Sequence, residues 1–157
     1  MRNVNNGSNL ESFVNGTLSN LGFINIDFKT WEKTKPKGKY LIKHFPYTSI
    51  YETKCKTEFL IQDDDRFIRI ECKWQQVSGS VDEKFAYMYL NAVCKWQENE
   101  IILLIDGNGY RQNALEWIKN SAKNKLYYPD NCDKVIKVWD MREFLIWANN
   151  GMQQLTY

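Results

Sequence analysis

Two short stretches of the chain carry charged side chains among apolar ones. In IECKWQ (70–75), Glu71 and Lys73 occupy alternate positions, and TEFLI contains Glu58. Side chains alternate between the two faces of a strand, and each residue adds about 3.3 Å. Glu71 and Lys73 would therefore lie about 7 Å apart on one face, together with Gln75. Because burying unpaired charges is costly, we expect this face to meet water or a cleft.

These residue types together suit the hydrolysis of a phosphodiester. A polar turn at 63–65 joins the two stretches, so Glu58 and Glu71 can lie near each other across a hairpin. Two neighbouring carboxylates repel each other unless a cation lies between them, and Mg²⁺ prefers oxygen ligands and needs few of them. A lysine beside the cation could orient or deprotonate a water. The alternative is an exposed hairpin face with a Glu–Lys pair that contributes little to stability.

The surrounding elements form an α/β pattern. Apolar periodicity and capping residues predict helices over 8–21, 81–96, 112–123 and 140–150. Apolar runs bounded by turn residues predict strands over 54–62, 66–74, 100–106 and 134–140, and a short strand over 23–28. Between the short strand and the hairpin we expect a loop over 32–39 and an extended segment over 40–52 that is broken at Pro46. A hairpin followed by alternating helices and strands favours a central mixed sheet with helices on both faces.

Length and composition indicate one domain over 1–157. The chain is 43% hydrophobic and 15% aromatic, which is enough for a sizeable core. No apolar run approaches the roughly 18 residues of a membrane span, and the N-terminus lacks the apolar segment of a signal peptide. The four cysteines lack the CxxC spacing of a zinc site, so free thiols in a cytoplasmic protein are expected.

The positive charge is concentrated in one segment. The net charge is only +2, but eight lysines with interleaved aromatic residues fall within 29–56. Lysines that contact phosphates, with rings beside them, suit a nucleic-acid surface. We take Lys35, Lys37, Lys39 and Lys43 as candidate DNA contacts. The alternative is a solvated, lysine-rich loop and edge hairpin.

Two further segments could contact a phosphate backbone. Ser78, Ser80 and Lys84 follow the charged strand and offer hydroxyls and an ammonium group near a helix N-terminus. The alternative is that this segment only caps the following helix. Tyr110 and Arg111 follow a strand end, where α/β sheets often place ligands, although a simple turn into the next helix also explains them.

The pattern of Glu58 followed by Glu71-Cys72-Lys73 resembles the PD-(D/E)xK nuclease superfamily, the fold of many type II restriction endonucleases, phage nucleases and junction resolvases. The resemblance covers most of the chain, including the first helix, the acidic hairpin and the α-β-α-β order that follows. It implies that Glu58 and Glu71 bind a metal, that the carbonyl of Cys72 completes the coordination, and that Lys73 positions the attacking water.

The resemblance adds two residues and shows one departure. Glu11 on the first helix matches the frequent extra carboxylate of the superfamily, and Gln75 matches a glutamine that follows the ExK strand. The first acidic residue of the superfamily is usually an aspartate after proline, whereas here Glu58 follows Thr57.

The resemblance implies a restriction endonuclease-like fold and a Mg²⁺-dependent DNA endonuclease, with Mn²⁺ as a possible substitute. A homodimer that cuts both strands of a duplex is the expected assembly, in the cytoplasm of a prokaryote or encoded by a phage. Restriction-type cleavage is the first interpretation, and a nuclease specific for junctions or repair intermediates is the second. A non-catalytic nucleic-acid-binding protein of the same fold, or a plain α/β structural protein, remains an alternative.

Overall fold

The computed structural model describes residues 6–157, with side chains from residue 9 onward, so the N-terminal stretch 1–5 lies outside the described residues. The helices are α1 (Asn6–Asn20), α2 (Phe28–Thr34), α3 (Phe85–Cys94), α4 (Gln112–Lys123) and α5 (Met141–Asn149), and a 3₁₀ turn spans Val81–Lys84. The strands are β1 (Ile24–Asp27), β2 (Lys39–Thr48), β3 (Lys54–Asp63), β4 (Arg66–Trp74), β5 (Glu100–Asp106) and β6 (Val135–Trp139). None of the described helices is long and apolar enough to cross a membrane.

The six strands form one mixed sheet in chain order. The β2–β3 and β3–β4 pairs are antiparallel, whereas the β1–β2, β4–β5 and β5–β6 pairs are parallel. The predicted α/β fold with a mixed sheet and a central hairpin is therefore confirmed.

Helices cover both faces of the sheet and bury a core on each. On one face, Leu10 and Val14 of α1 and Phe144 of α5 pack with Ile70 of β4. On the other face, α3 and α4 cover β5 and β6. Side chains of β5 enter both cores in alternation, which explains why the run IILLI is apolar throughout.

The loop predicted over 32–39 is wrong at its start, because α2 occupies 28–34. The carboxylate of Asp27 caps this helix by accepting a 2.9 Å hydrogen bond from the backbone N–H of Thr30. The helix ends at Lys35, which has a left-handed φ of 43°.

The break predicted at Pro46 is also wrong, because β2 continues through this proline to Thr48. Strand β1 pairs with β2 only as far as Lys43, so beyond that residue β2 has β3 as its one neighbour in the described sheet. Pro46 therefore lies on an edge segment, where its missing N–H removes no ladder hydrogen bond.

Candidate active site at the fork of the β3–β4 hairpin

Strands β3 and β4 separate at the candidate carboxylates. Their ladder ends with Phe59 opposite Ile70, and Glu58 and Glu71 are the next residues on the two strands. The structure thus brings these two glutamates to the fork of the hairpin, as the spacing about the turn predicts. The apolar residues that alternate with Glu71 point into the core under α1 and α5.

The neighbouring strand is distorted at the same level. The β2–β3 ladder omits the pair His44–Glu58, and His44 has a left-handed φ of 54°, which is uncommon outside glycine. Glu58 lines a cavity of about 140 Å³ together with Glu11, Lys43 and His44. The first helix therefore supplies a third carboxylate, and one of the candidate DNA contacts, Lys43, lies beside it.

Glu71 and Lys73 form a hydrogen-bonded ion pair. The Nζ of Lys73 donates to Oε1 of Glu71 at 2.8 Å, and the Glu71 side chain is only 8% exposed. Both residues line a cavity of about 270 Å³ that is also lined by Lys84 and Tyr87. The charged face of β4 therefore meets a cleft rather than open water.

The carboxylates resist ionisation. Burial, the charge of Glu71, and the charge and hydrogen bond of Glu11 together raise the pKa of Glu58 to about 7, with Lys73 partly opposing them. Burial also raises the pKa of Glu71, although the charge and hydrogen bond of Lys73 act in the opposite direction. Both carboxyl groups therefore favour binding a proton or a cation.

Lys73 keeps its positive charge despite being largely enclosed. Burial acts to lower its pKa, but the charge and hydrogen bond of Glu71 and the charge of Glu58 outweigh it, so the pKa is raised. The thiol of the intervening Cys72 lies in the core, and burial and the nearby glutamates raise its pKa well above the ordinary value. Only the backbone of Cys72 is therefore suited to ligand binding.

The donor atoms at the fork fit a hard divalent cation. Glu58 and Glu71 offer carboxylate oxygens and Cys72 offers a carbonyl oxygen, the ligand type that Mg²⁺ prefers. No group of three or more His, Cys, Asp or Glu side chains suited to a metal occurs within residues 6–157 as described. Because Mg²⁺ commonly binds through one or two carboxylates and retains water, two glutamates are a sufficient protein contribution.

Comparison with known families agrees with this geometry. The family model of a PD-(D/E)XK nuclease superfamily domain matches residues 2–152. The chain belongs to the PD-(D/E)XK nuclease superfamily. The resemblance based on Glu58, Glu71 and Lys73 is therefore confirmed at the level of the family, whose members generally use divalent metals. A comparison with curated proteins found no significant match.

In this member of the superfamily, Gln75 lies outside the charged cluster. Its Nε2 donates to the carbonyl of Gly109 at 2.8 Å, and its Oε1 accepts from the backbone N–H of Val81 at 2.7 Å. Both ends of the amide are thus used to join two loops beyond the strand end. The face expected from strand alternation ends at Lys73, because Gln75 is buried among backbone groups.

The segment after β4 contributes unequally to the cleft. Lys84 lines the cavity with Glu71, whereas Ser78 and Ser80 are exposed. Ser80 precedes the 3₁₀ turn and makes no side-chain capping bond there. Only Lys84 of these three therefore lies beside the charged pair.

Tyr110 and Arg111 are engaged in packing contacts. The Tyr110 ring lies 6.0 Å from that of Phe85. The guanidinium of Arg111 donates from Nε and from a terminal nitrogen to Asp82, at 2.9 and 2.7 Å, and its backbone N–H also donates to Asp82. This bidentate pair lowers the pKa of Asp82 to about 2 and fixes the start of α4 against the 3₁₀ turn.

The lysine-rich segment is divided between the two ends of the hairpin. Lys37 forms an ion pair with Asp65 in the β3–β4 turn, and Lys39 lies 5.4 Å from the ring centre of Phe23. Lys35 and these two lysines therefore lie toward the turn, and Lys43 lies at the fork.

Two residues of the cleft were missed by sequence reasoning. Lys56 and Tyr87 line the same cavity as Glu71 and Lys73. Lys56 lies two residues before Glu58 on the same strand, and this spacing could have indicated that it lines the cleft. Tyr87 reaches the cleft from α3, and no sequence spacing relates that helix to the fork.

A larger cavity, of about 1050 Å³, lies on the face of the sheet that carries Glu71 and Lys73. Its charged lining residues are all ion-paired, in the pairs Arg66–Glu100, Arg69–Glu98, Lys95–Glu52 and Lys37–Asp65. At the fork, by contrast, Glu58 has no ion-pair partner among the described residues, and the pKa values of Glu58 and Glu71 are both raised. We therefore assign the candidate active site to the smaller cavities at the fork.

Proposed function

We propose that the protein is a divalent-metal-dependent DNA endonuclease whose active site is the fork of the β3–β4 hairpin. The observation that carries the proposal is the 2.8 Å contact between Lys73 and Glu71, with Glu58 next to them across the fork, in a chain of a nuclease superfamily. Inactive proteins of such a fold typically lose one member of the acid–acid–lysine set, and this chain retains all three.

Glu58, Glu71 and the Cys72 carbonyl would hold the cation, with Mg²⁺ as the first choice and Mn²⁺ as a substitute. The cation would supply positive charge against the negative charge that develops on the phosphate during attack. Glu11 lines the same cavity as Glu58 and would add a third carboxylate beside the cation.

Lys73 acts as a hydrogen-bond donor in this proposal. Because its pKa is raised, it is an ammonium group at neutral pH and orients the attacking water rather than deprotonating it. In-line attack on phosphorus breaks the bond to the leaving sugar oxygen. The products are a 5′-phosphate and a 3′-hydroxyl, the outcome that the superfamily resemblance implies.

Two forms of this activity fit the fold. In the first, a homodimer cuts both strands of a duplex at a specific sequence, as a restriction enzyme does. In the second, the protein is specific for a DNA structure, such as a junction or a repair intermediate. A stacked pair of tyrosines at the edge of the cleft, of which Tyr51 is exposed, favours the second form.

A cleavage assay tests the proposal. Wild type and Lys73→Ala are mixed with supercoiled plasmid, linear duplex and a four-way junction, each with Mg²⁺ or with EDTA. We expect metal-dependent cutting that is lost in the variant and retained in Lys119→Ala, which removes an exposed lysine of α4. Binding without cutting of any substrate would support the non-catalytic alternative instead.

A further inference from the structure

A stacked pair of tyrosines, the exposed Tyr51 and the half-buried Tyr87, lies at the edge of the candidate catalytic cleft. Tyr87 lines the cavity that contains Glu71 and Lys73. The ring of Tyr51 stacks on that of Tyr87, with centroids 5.1 Å apart and planes inclined by 21°. Tyr51 is nevertheless 70% exposed, so its ring has surface available for a further flat group.

The turn that carries Tyr51 is fixed against α3. The Ser49 hydroxyl accepts a 3.1 Å hydrogen bond from the backbone N–H of Tyr51. The next N–H toward the N-terminus, that of Ile50, donates to Oδ1 of Asn91 on α3 at 2.8 Å. Because the ring is already positioned, stacking on it would lose little conformational freedom.

Positive charge surrounds the same cleft. Lys56 and Lys84 line it with Lys73, and both are exposed. Neither Lys56 nor Lys84 forms an ion pair with any described acidic residue. Ammonium groups that can contact phosphates, next to aromatic faces that can stack on bases, characterise surfaces that bind unpaired nucleic acid.

We propose that Tyr51 and Tyr87 form a base-stacking platform for the nucleotide next to the scissile phosphate. The preferred substrate would then be DNA with an unpaired base at that position, such as a flap or a bulge. A base in a matched duplex must leave its own stack before it can reach the platform, which costs energy. The inference rests on the proposed function, because the phosphate held at Lys73 determines which base lies beside Tyr87.

The test compares binding to two DNAs that differ only in pairing. One is a matched duplex, and the other carries two unpaired nucleotides, one of them the fluorescent base 2-aminopurine. Affinity is measured by anisotropy in EDTA, and stacking is followed by quenching of the 2-aminopurine. We expect Tyr51→Ala to weaken binding of the unpaired DNA about 5- to 100-fold and to remove the quenching.

Two variants control the result. Tyr51→Phe keeps the ring and should bind as wild type does. Tyr127→Ala removes a tyrosine that is 61% exposed and packs against Trp117 at 6.5 Å, away from the cleft, and should also bind normally. Tyr51→Ala and these two control variants should all bind the matched duplex with wild-type affinity.

Two binding results for Tyr51→Ala would overturn the platform. Either Tyr51→Ala binds the unpaired DNA as wild type does, or it weakens the binding of both DNAs equally.

Cleavage in Mg²⁺ is measured separately. A wild type that cuts DNA without any Tyr51 effect keeps the nuclease and removes the platform. A wild type that cuts nothing, with selective loss of binding in Tyr51→Ala, keeps the platform and contradicts the nuclease. A wild type that binds neither DNA contradicts both.

Discussion

The ionisation of Glu58 depends strongly on its surroundings. Burial and the charges of Glu71 and Glu11 raise its pKa to about 7, so the metal-free protein holds a proton there over much of the physiological range. A cation bound at the fork must displace that proton. We therefore predict that Mg²⁺ binds more tightly as pH rises from 6 to 8 and that binding releases a fraction of a proton. Calorimetry in buffers of different ionisation enthalpy measures the affinity and the number of protons released. An affinity that does not change with pH would contradict the binding of Mg²⁺ at Glu58.

The same shift affects the stability of the metal-free protein. The native pKa of Glu58 is about 7 and lies above the ordinary value of 4.5, so the native state binds more protons between these values than the unfolded state does. Stability therefore falls as pH rises from about 4.5 to 7.

We predict that Glu58→Gln stabilises the metal-free protein at pH 8. The side chain is partly exposed, so the gain is on the order of 1 kcal/mol, or about 2–4 °C in Tm. Thermal unfolding in EDTA measures it, with Glu32→Gln on the exposed surface of α2 as a control that should leave Tm unchanged. A Glu58→Gln variant less stable than wild type at pH 8 would refute the effect.

At the scale of single residues, the charged cluster was predictable from the sequence and its boundary was not. Because side chains alternate along a strand, Glu71 and Lys73 lie on the same face whatever the rest of the fold is. Gln75 follows the same alternation, yet its amide bonds to the backbone of Val81 in the next segment and of Gly109 in the loop after β5. Only the tertiary structure brings Gly109 to it.

At the scale of elements, two loops cross in close contact beyond the ends of β4 and β5. The backbone N–H of Gly109 donates to the carbonyl of Gln75 at 2.7 Å, and a Cβ at Gly109 would lie 2.1 Å from the carbonyl oxygen of Val77. The obstacle is backbone, which cannot rotate away.

Gly109→Ala should therefore destabilise the protein by about 2 kcal/mol or more and should reduce cleavage by displacing the segment that carries Lys84. Gly16→Ala on α1 is the matched control, because a Cβ there meets nothing within 4 Å. It should raise stability slightly through helix propensity. Denaturant unfolding of the two variants gives the comparison, and equal stabilities would contradict the close crossing.

The elements with strong periodicity were predictable, and the short ones were not. Helices α1, α4 and α5 follow from apolar spacing and from caps such as Asp140 with Glu143. Helix α2 has seven residues and lies just before Pro36 and Gly38, so local signals favour a loop. It is stabilised by its Asp27 cap and by packing of Phe28 and Trp31 on Phe45 of β2, which only the folded sheet provides.

At the scale of the whole molecule, the position of the charge matters more than its sum. The net charge is +2, yet Lys56 and Lys84 both line the cleft. We predict that replacing both with alanine weakens binding to all DNA sequences and reduces the slope of log affinity against log salt by about 2. Titrations at several salt concentrations measure the slope, and an unchanged slope would place the phosphate contacts elsewhere.

The lysines near the hairpin turn test how far the DNA contact extends. Replacing Lys35, Lys37 and Lys39 together should weaken binding to every sequence and flatten the salt dependence. Lys37 already pairs with Asp65, so Asp65→Asn serves as a control that frees this lysine and should strengthen binding. If the triple variant keeps the wild-type slope, the DNA contact is restricted to the fork.

The most direct measurement is the rate of Mg²⁺-dependent DNA cleavage by wild type and by Glu71→Gln. This substitution preserves the shape of the side chain and removes the charge that pairs with Lys73 and would hold the cation. We predict that wild type cuts DNA in Mg²⁺ and not in EDTA, and that the variant, although folded, is slower by about 10²-fold or more. Equal cleavage by the two proteins would show that the fork of the hairpin is not the active site.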